Sequence, residues 1–282
     1  MIGLTVWGSA RPVLAWQPPV PAPPSVAQSV AARQIEQIEL TFAQTEAQIG
    51  IAAAFRRFAA PAALMFLPDP IAAGPILRTA HWPGDLMRRP RYIGVAPSGD
   101  LAFSAGPSLL RIAGQNQGGF YLTVWTRSPG GAWQWVLDHG VDMPAAAVDS
   151  SPRPVTILSI DAASPPDLSE GLREADAALD ADLAKQVPAP FAARLDDQIL
   201  VARTDRPVAF GRRKALRLLA DAPTILEAQL LHGGISLDGT LGYAYGKARW
   251  MTAAGPQQGY YVRIWRNAGQ GWRLLVDHLA ER

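Results

Sequence analysis

Gly119-Phe120-Tyr121-Leu122-Thr123-Val124-Trp125 returns 140 positions later as Gly259-Tyr260-Tyr261-Val262-Arg263-Ile264-Trp265. Aromatic and β-branched side chains fill both stretches, as a strand with a two-residue side-chain period prefers. The match runs on into a second strand. There Gly131-Ala132-Trp133 to Asp138-His139 answers Gly271-Trp272 to Asp277-His278, with one residue fewer in the turn. Upstream, Gly99, Leu101, Phe103 and Gly106 answer Gly239, Leu241, Tyr243 and Gly246. Further back, Pro70-Ile71-Ala72-Ala73-Gly74 answers Pro207-Val208-Ala209-Phe210-Gly211, and Phe55 answers Phe191. Because the offset drifts only from 136 to 140, two copies of one domain are the economical explanation.

Each copy begins with a helix. Ile35, Ile38, Phe42 and Ile49 keep helical spacing in the first, and Leu172, Ala175, Leu179 and Leu183 do so in the second, with Ser169 as N-cap. An interruption is expected near Gly50 in one copy and at Pro188 and Pro190 in the other, followed by a second short helix around Phe55 or Phe191. A strand follows at Leu64–Phe66 or Ile199–Val201, then the proline-to-glycine element, and in copy two a helix over 212–219. The remainder is a strand meander over 99–106, 119–125 and 133–138, closed by a glycine-containing turn. The fold class is therefore α+β, helices first and an antiparallel sheet last.

These signals divide the chain into an arm (1–34), a first domain (35–142), a proline-rich linker (143–168) and a second domain (169–282). Val155 to Ile160 has the β-branched character of one extra strand inside the linker. Met1 to Ala15 is apolar, and Val13-Leu14-Ala15 has the small-x-small form of a signal-peptidase site, so an exported, periplasmic or secreted protein is favoured over a cytoplasmic one. Arg11 and the missing basic n-region leave a late start codon or a disordered arm as alternatives.

Composition narrows the function classes. The 282 residues are 49% hydrophobic and 18% charged, which suits folded domains. A net charge of +2 offers no field for a nucleic acid. With no cysteine, disulfides, thiolate nucleophiles and iron–sulfur clusters are excluded, and four histidines make a multi-histidine metal site an unfavourable expectation. Arg11, Gln17 and the prolines interrupt the only apolar run near the N-terminus, so no integral membrane segment is expected in the body. Neither a phosphate loop nor a dinucleotide-type glycine fingerprint is present, and no cofactor is expected.

The paired helical start, the proline-to-glycine element and the terminal aromatic meander resemble the nuclear-transport-factor-2-like superfamily, with SnoaL-like domains of unknown function the nearest pattern. Trp265-Arg266 through Gly271-Trp272-Arg273-Leu274-Leu275-Val276-Asp277 carries the resemblance; copy one departs from it with Gln134 where the arginine would stand. The resemblance implies a cone, a bent sheet wrapped around helices, whose mouth often holds a small hydrophobic molecule. It also implies a family of isomerases, dehydratases, hydrolases and non-catalytic binding or assembly modules.

Ligand-facing candidates are His81, Trp82 and Asp85 in a loop of copy one, and Asp197, His232 and Tyr260 in copy two. Strand alternation puts Phe120, Leu122 and Val124 on one face and Tyr121, Thr123 and Trp125 on the other. Tyr121, Trp125, Tyr261 and Trp265 are expected to join the two domains as an intramolecular pseudo-dimer, because aromatic residues favour interfaces. The Asp-His pairs at 138–139 and 277–278 point to opposite faces of one strand and so read as structural, closing the last strand or pairing with an arginine. The expected function is a non-catalytic small-molecule-binding or scaffold module. The alternative is a cofactor-independent isomerase, dehydratase or hydrolase acting on a small apolar molecule.

Overall fold

Ser25 opens the first helix with a capping box: its hydroxyl accepts from the Gln28 backbone N–H, and the Gln28 side chain accepts from the Ser25 N–H. Helix α1 (Val26–Ile49) runs to Gly50, whose φ of 87° lets the chain turn directly into α2 (Ile51–Phe58). The computed structural model describes residues 23–160, 171–184, 192–220, 225–267, 269 and 271–282. The export-like stretch, the end of the linker, and the expected cap, break and short helix at Ser169, Pro188, Pro190 and Phe191 lie outside the described residues.

Strands β1 (Ala59–Phe66) and β2 (Pro70–Ala72), helix α3 (Ala73–Thr79), and strands β3 (Asp85–Arg88) and β4 (Tyr92–Val95) precede the meander of β5 (Leu101–Ile112), β6 (Gln115–Thr126) and β7 (Gln134–Met143). A short β8 (Thr156–Leu158) falls inside the proline-rich stretch. After it come α4 (Leu172–Ala184), β9 (Leu195–Arg203), β10 (Ala209–Phe210), α5 (Arg212–Ala220), β11 (Ile225–Ile235), β12 (Leu241–Thr252), β13 (Gly255–Asn267) and β14 (Trp272–Glu281).

Sheet one runs β2-β1-β7-β6-β5-β4-β8, with β3 also on β5; sheet two runs β10-β9-β14-β13-β12-β11. The hairpins make both sheets mostly antiparallel, but β1 joins β7 and β9 joins β14 in parallel. Long connections permit this where a tight turn would not. The two registers repeat at an offset of 140: Phe103 faces Val124 as Tyr243 faces Ile264, and Ala105 faces Leu122 as Tyr245 faces Val262. A bulge falls between Val124 and Trp125 in one sheet and between Ile264 and Trp265 in the other, bending each long strand at the same place.

Helices α1 to α3 pack against one face of sheet one, and α4 and α5 against one face of sheet two. The remaining two faces pack on each other through one apolar core that includes Leu122, Val124 and Leu137 from sheet one and Val262, Ile264 and Val276 from sheet two. The molecule is therefore layered helix, sheet, sheet, helix. This corrects the expected interface. Tyr121, Trp125, Tyr261 and Trp265 look into their own helices, and the aliphatic alternate face joins the sheets. The physical reason is polar satisfaction: the Tyr261 hydroxyl and Trp265 indole find their acceptor in Asp176 on α4, and the Trp125 indole donates to the Ser104 hydroxyl, which is itself tied to Glu39 on α1, whereas an aliphatic face needs no partner. No helix among the described residues is long and apolar enough to cross a membrane.

Candidate functional site

Between each sheet and its helices the sequence buries charge. In the first half, Arg88 from β3 lies under α1, where its guanidinium donates to Asp138 at 3.0 Å and to the Thr123 hydroxyl at 2.6 Å and faces Glu39 at 3.9 Å. Its flat side covers the ring of Tyr121 at 3.9 Å. Glu39 accepts from the Ser104 hydroxyl at 2.7 Å, and that hydroxyl in turn accepts from the Trp125 indole at 2.9 Å. Burial raises the Glu39 pKa, with Arg88 opposing. Burial and the Glu39 carboxylate push the Tyr121 phenol well above its usual range.

The second half repeats the arrangement with different parts. Arg263, on β13, donates to Asp180 at 2.7 Å and Asp176 at 3.1 Å and lies 3.7 Å from Asp277. Its guanidinium covers the Tyr261 ring at 4.0 Å. Asp176, fully buried on α4, also accepts from the Tyr261 hydroxyl at 2.8 Å and the Trp265 indole at 3.2 Å. Asp277 is bound as well by Arg203. Burial raises the pKa of Asp180, opposed by Arg263. Against the desolvation that burial imposes, the surrounding acids hold both guanidinium groups above their ordinary pKa. Each of these carboxylates is occupied by fixed donors, so a bound molecule would have to displace an arginine, hydroxyl or indole partner to reach it.

The ligand-facing candidates do not converge. His81 and Asp85 are exposed, and Trp82 packs edge-on against Phe55 at 6.1 Å. Asp197 is exposed on β9, while its neighbour Asp196 is buried against Arg266 at 2.7 Å. His232 is exposed on β11 with its ring near that of Tyr245. Tyr260 lies at the seam between the halves, where its hydroxyl donates to Asp69 at 2.8 Å, and Arg282 reaches the same carboxylate at 3.0 Å. A cavity of about 90 Å³ opens beside it, lined by Glu227, Lys247, Arg249, Gln258 and Arg282 among others. Among the described residues no cluster of acids and histidines suits a metal ion.

Asp138 and Asp277 pair with arginines, while their neighbours His139 and His278 cross the sheet-to-sheet core and meet at 2.6 Å between Nδ1 atoms. The His278 Nε2–H donates to the Phe120 carbonyl at 3.0 Å, so its Nδ1 is bare and accepts from the Nδ1–H of His139. That leaves the His139 Nε2 buried without a hydrogen-bond partner. Burial, the first cause in both, lowers both pKa values; that of His278 falls to about 3.

Sequence analysis missed Arg88, Glu39, Asp176 and Asp180. A signal was present. Glu39 stands four residues after Ile35 and three before Phe42, and Asp176 four after Leu172 and three before Leu179, so both acids sit inside apolar stripes.

No protein-family model matches the chain, and no curated protein matches its sequence. Solved structures match it two fifths at a time. A ketosteroid isomerase-like protein from Erwinia carotovora shares 11% identity over 39% of this chain and 92% of its own, with a TM-score of 0.35. The chain is similar to nuclear-transport-factor-2-like proteins. One such protein of unknown function, from Shewanella oneidensis, shares 8% identity over 36% of this chain and 89% of its own at a TM-score of 0.31. Another, from Pseudomonas putida, shares 12% over 39% of this chain and 82% of its own at 0.33.

Proposed function

We propose that this chain is a non-catalytic scaffold in which two SnoaL-like domains, residues 35–142 and 169–282, form an intramolecular pseudo-dimer. The observation that carries this is the pair of buried guanidinium groups, Arg88 and Arg263, each set between its sheet and its helices against acids of a helix and a strand. Proton-transfer catalysis in such a cone needs a free base, and these carboxylates are committed to arginine, tryptophan and tyrosine partners. The repeated register and the shared apolar core between the sheets support the pseudo-dimer. The alternative, proton transfer on a small apolar molecule, would need an acid and a base from His81, Asp85, Asp197, His232 and Tyr260 in one cavity, and these five lie apart.

A crystal structure of the protein grown with a panel of small apolar molecules tests the scaffold. The expected result keeps Arg88 on Asp138 and Arg263 on Asp176 with both cones filled by protein side chains. A molecule seated in either cone, with its arginine swung off the acid, would overturn it.

A further inference from the structure

The two sheets differ at one edge. By register, β3 and β4 together hold in sheet one the place that β11 holds in sheet two: Tyr92 lies opposite Ala105 and Ile93 opposite Ser104, and His232 lies opposite Tyr245 and Gly233 opposite Ala244. The next residue is glycine in both, and for one reason. A Cβ at Gly94 would strike the ring of Phe103, and a Cβ at Gly234 would strike the ring of Tyr243. The edges are thus built alike and covered differently. Strand β8 lies parallel on the outer edge of β4, with Thr156 opposite Tyr92, Ile157 opposite Ile93 and Leu158 opposite Gly94. Leu158 is buried there and Ile157 packs against the core beneath the helices.

Among the described residues, nothing pairs with the outer edge of β11. Its 231–237 stretch, Leu-His-Gly-Gly-Ile-Ser-Leu, holds no lysine, arginine or proline, the residues that usually blunt an open edge. Leu231, Ile235 and Leu237 are 36%, 49% and 78% exposed beside it. We propose that residues 232–235 of β11 dock an extended segment of a partner protein, added parallel to the edge as a further strand with aliphatic or β-branched residues facing the sheet. The chemistry of the occupant is read from β8, whose Thr156-Ile157-Leu158 does this on the equivalent edge. The proposal rests on the two-domain scaffold and supplies what that scaffold holds.

The test is hydrogen exchange on the full chain, alone and with about 1 mM of a synthetic peptide carrying residues 153–160, a concentration that detects even weak strand addition. Slowed exchange at 232–235, abolished when proline replaces Ile157 in the peptide and weakened about tenfold or more in Leu231→Lys/Ile235→Lys, is the expected result. Both substituted side chains are exposed, so the variant keeps its fold. No slowing, slowing elsewhere, protection in the chain alone of those amides of 232–235 that point away from β12, or a peptide-independent dimer through this edge would each overturn the proposal. The β11 amides bonded to β12 serve as the separate control. Their protection shows the strand in the repeated register, and their free exchange would overturn the two-domain scaffold itself.

Discussion

The two halves bury the same charge from different directions. Tyr121 and Tyr261, Trp125 and Trp265, and Asp138 and Asp277 occupy matching places, and a helix acid stands above each set, Glu39 in one and Asp176 in the other. The cation moves. In the first half it is Arg88 on β3 with Thr123 on β6; in the second, Ala228 stands on β11 and Arg263 on β13, each shifted by 140. Yet the guanidinium covers the tyrosine ring at 3.9 Å in one half and 4.0 Å in the other. Acids buried against an apolar core require a cation, and any strand that can deliver one to the same point will serve.

The sharpest way to break this comparison is to remove each cation. Arg263→Met leaves Asp176, Asp180 and Asp277 with only Arg203 nearby, and stability should fall by about 3 to 5 kcal/mol in urea denaturation. Arg88→Met should fall by less, because it strands two acids rather than three, and burial already raises the pKa of one of them, Glu39. Equal losses would break the comparison.

The helix acids come next. Asp176→Asn disturbs bonds from Tyr261, Trp265 and Arg263 at once and should lower stability by about 2 to 3 kcal/mol. Glu39→Gln keeps a side-chain acceptor for Ser104 and should stay within about 1 kcal/mol at neutral pH. It should also remove a pH slope. A carboxylate with a raised folded pKa adds stability that is complete below its free value of 4.5 and lost as pH rises through the folded one.

The histidine pair has the opposite sign. Both folded pKa values lie below the free value of 6.5, so the stability they carry is full above 6.5 and declines as pH falls, for His278 down to about 3. Just below the free value the loss should approach about 1.4 kcal/mol per pH unit for each histidine. His278→Gln should roughly halve that slope in denaturation series at stepped pH; an unchanged slope would show that the pair is not buried between the sheets. The smallest effect belongs to the surface. Arg249→Ala breaks an ion pair whose partners are both 63% exposed, and it should shift stability by about 0.5 kcal/mol or less.

How far the sequence could carry these conclusions depended on which interactions are local. Strand alternation, the Gly50 break and the register of the meander follow from short-range rules, and the 140-residue offset carried them from one half to the other. The choice of buried face did not follow. Both faces of β6 are apolar enough to bury, and only the relay from the Trp125 indole through the Ser104 hydroxyl to Glu39 on α1 shows which one meets the helices. Arg88 was illegible for a related reason: it follows a proline- and glycine-containing loop, in a strand of four residues too short to show a period. The candidates at His81, Asp85, Asp197 and His232 were chosen by residue type, and type alone cannot bring side chains together.

Moving the cation tests the central claim most directly. Arg88→Ala should be strongly destabilised, and Arg88→Ala/Thr123→Arg, which rebuilds the first half on the plan of the second, should recover about half or more of the lost stability in urea denaturation. A double variant less stable than Arg88→Ala alone would contradict the equivalence of the two halves.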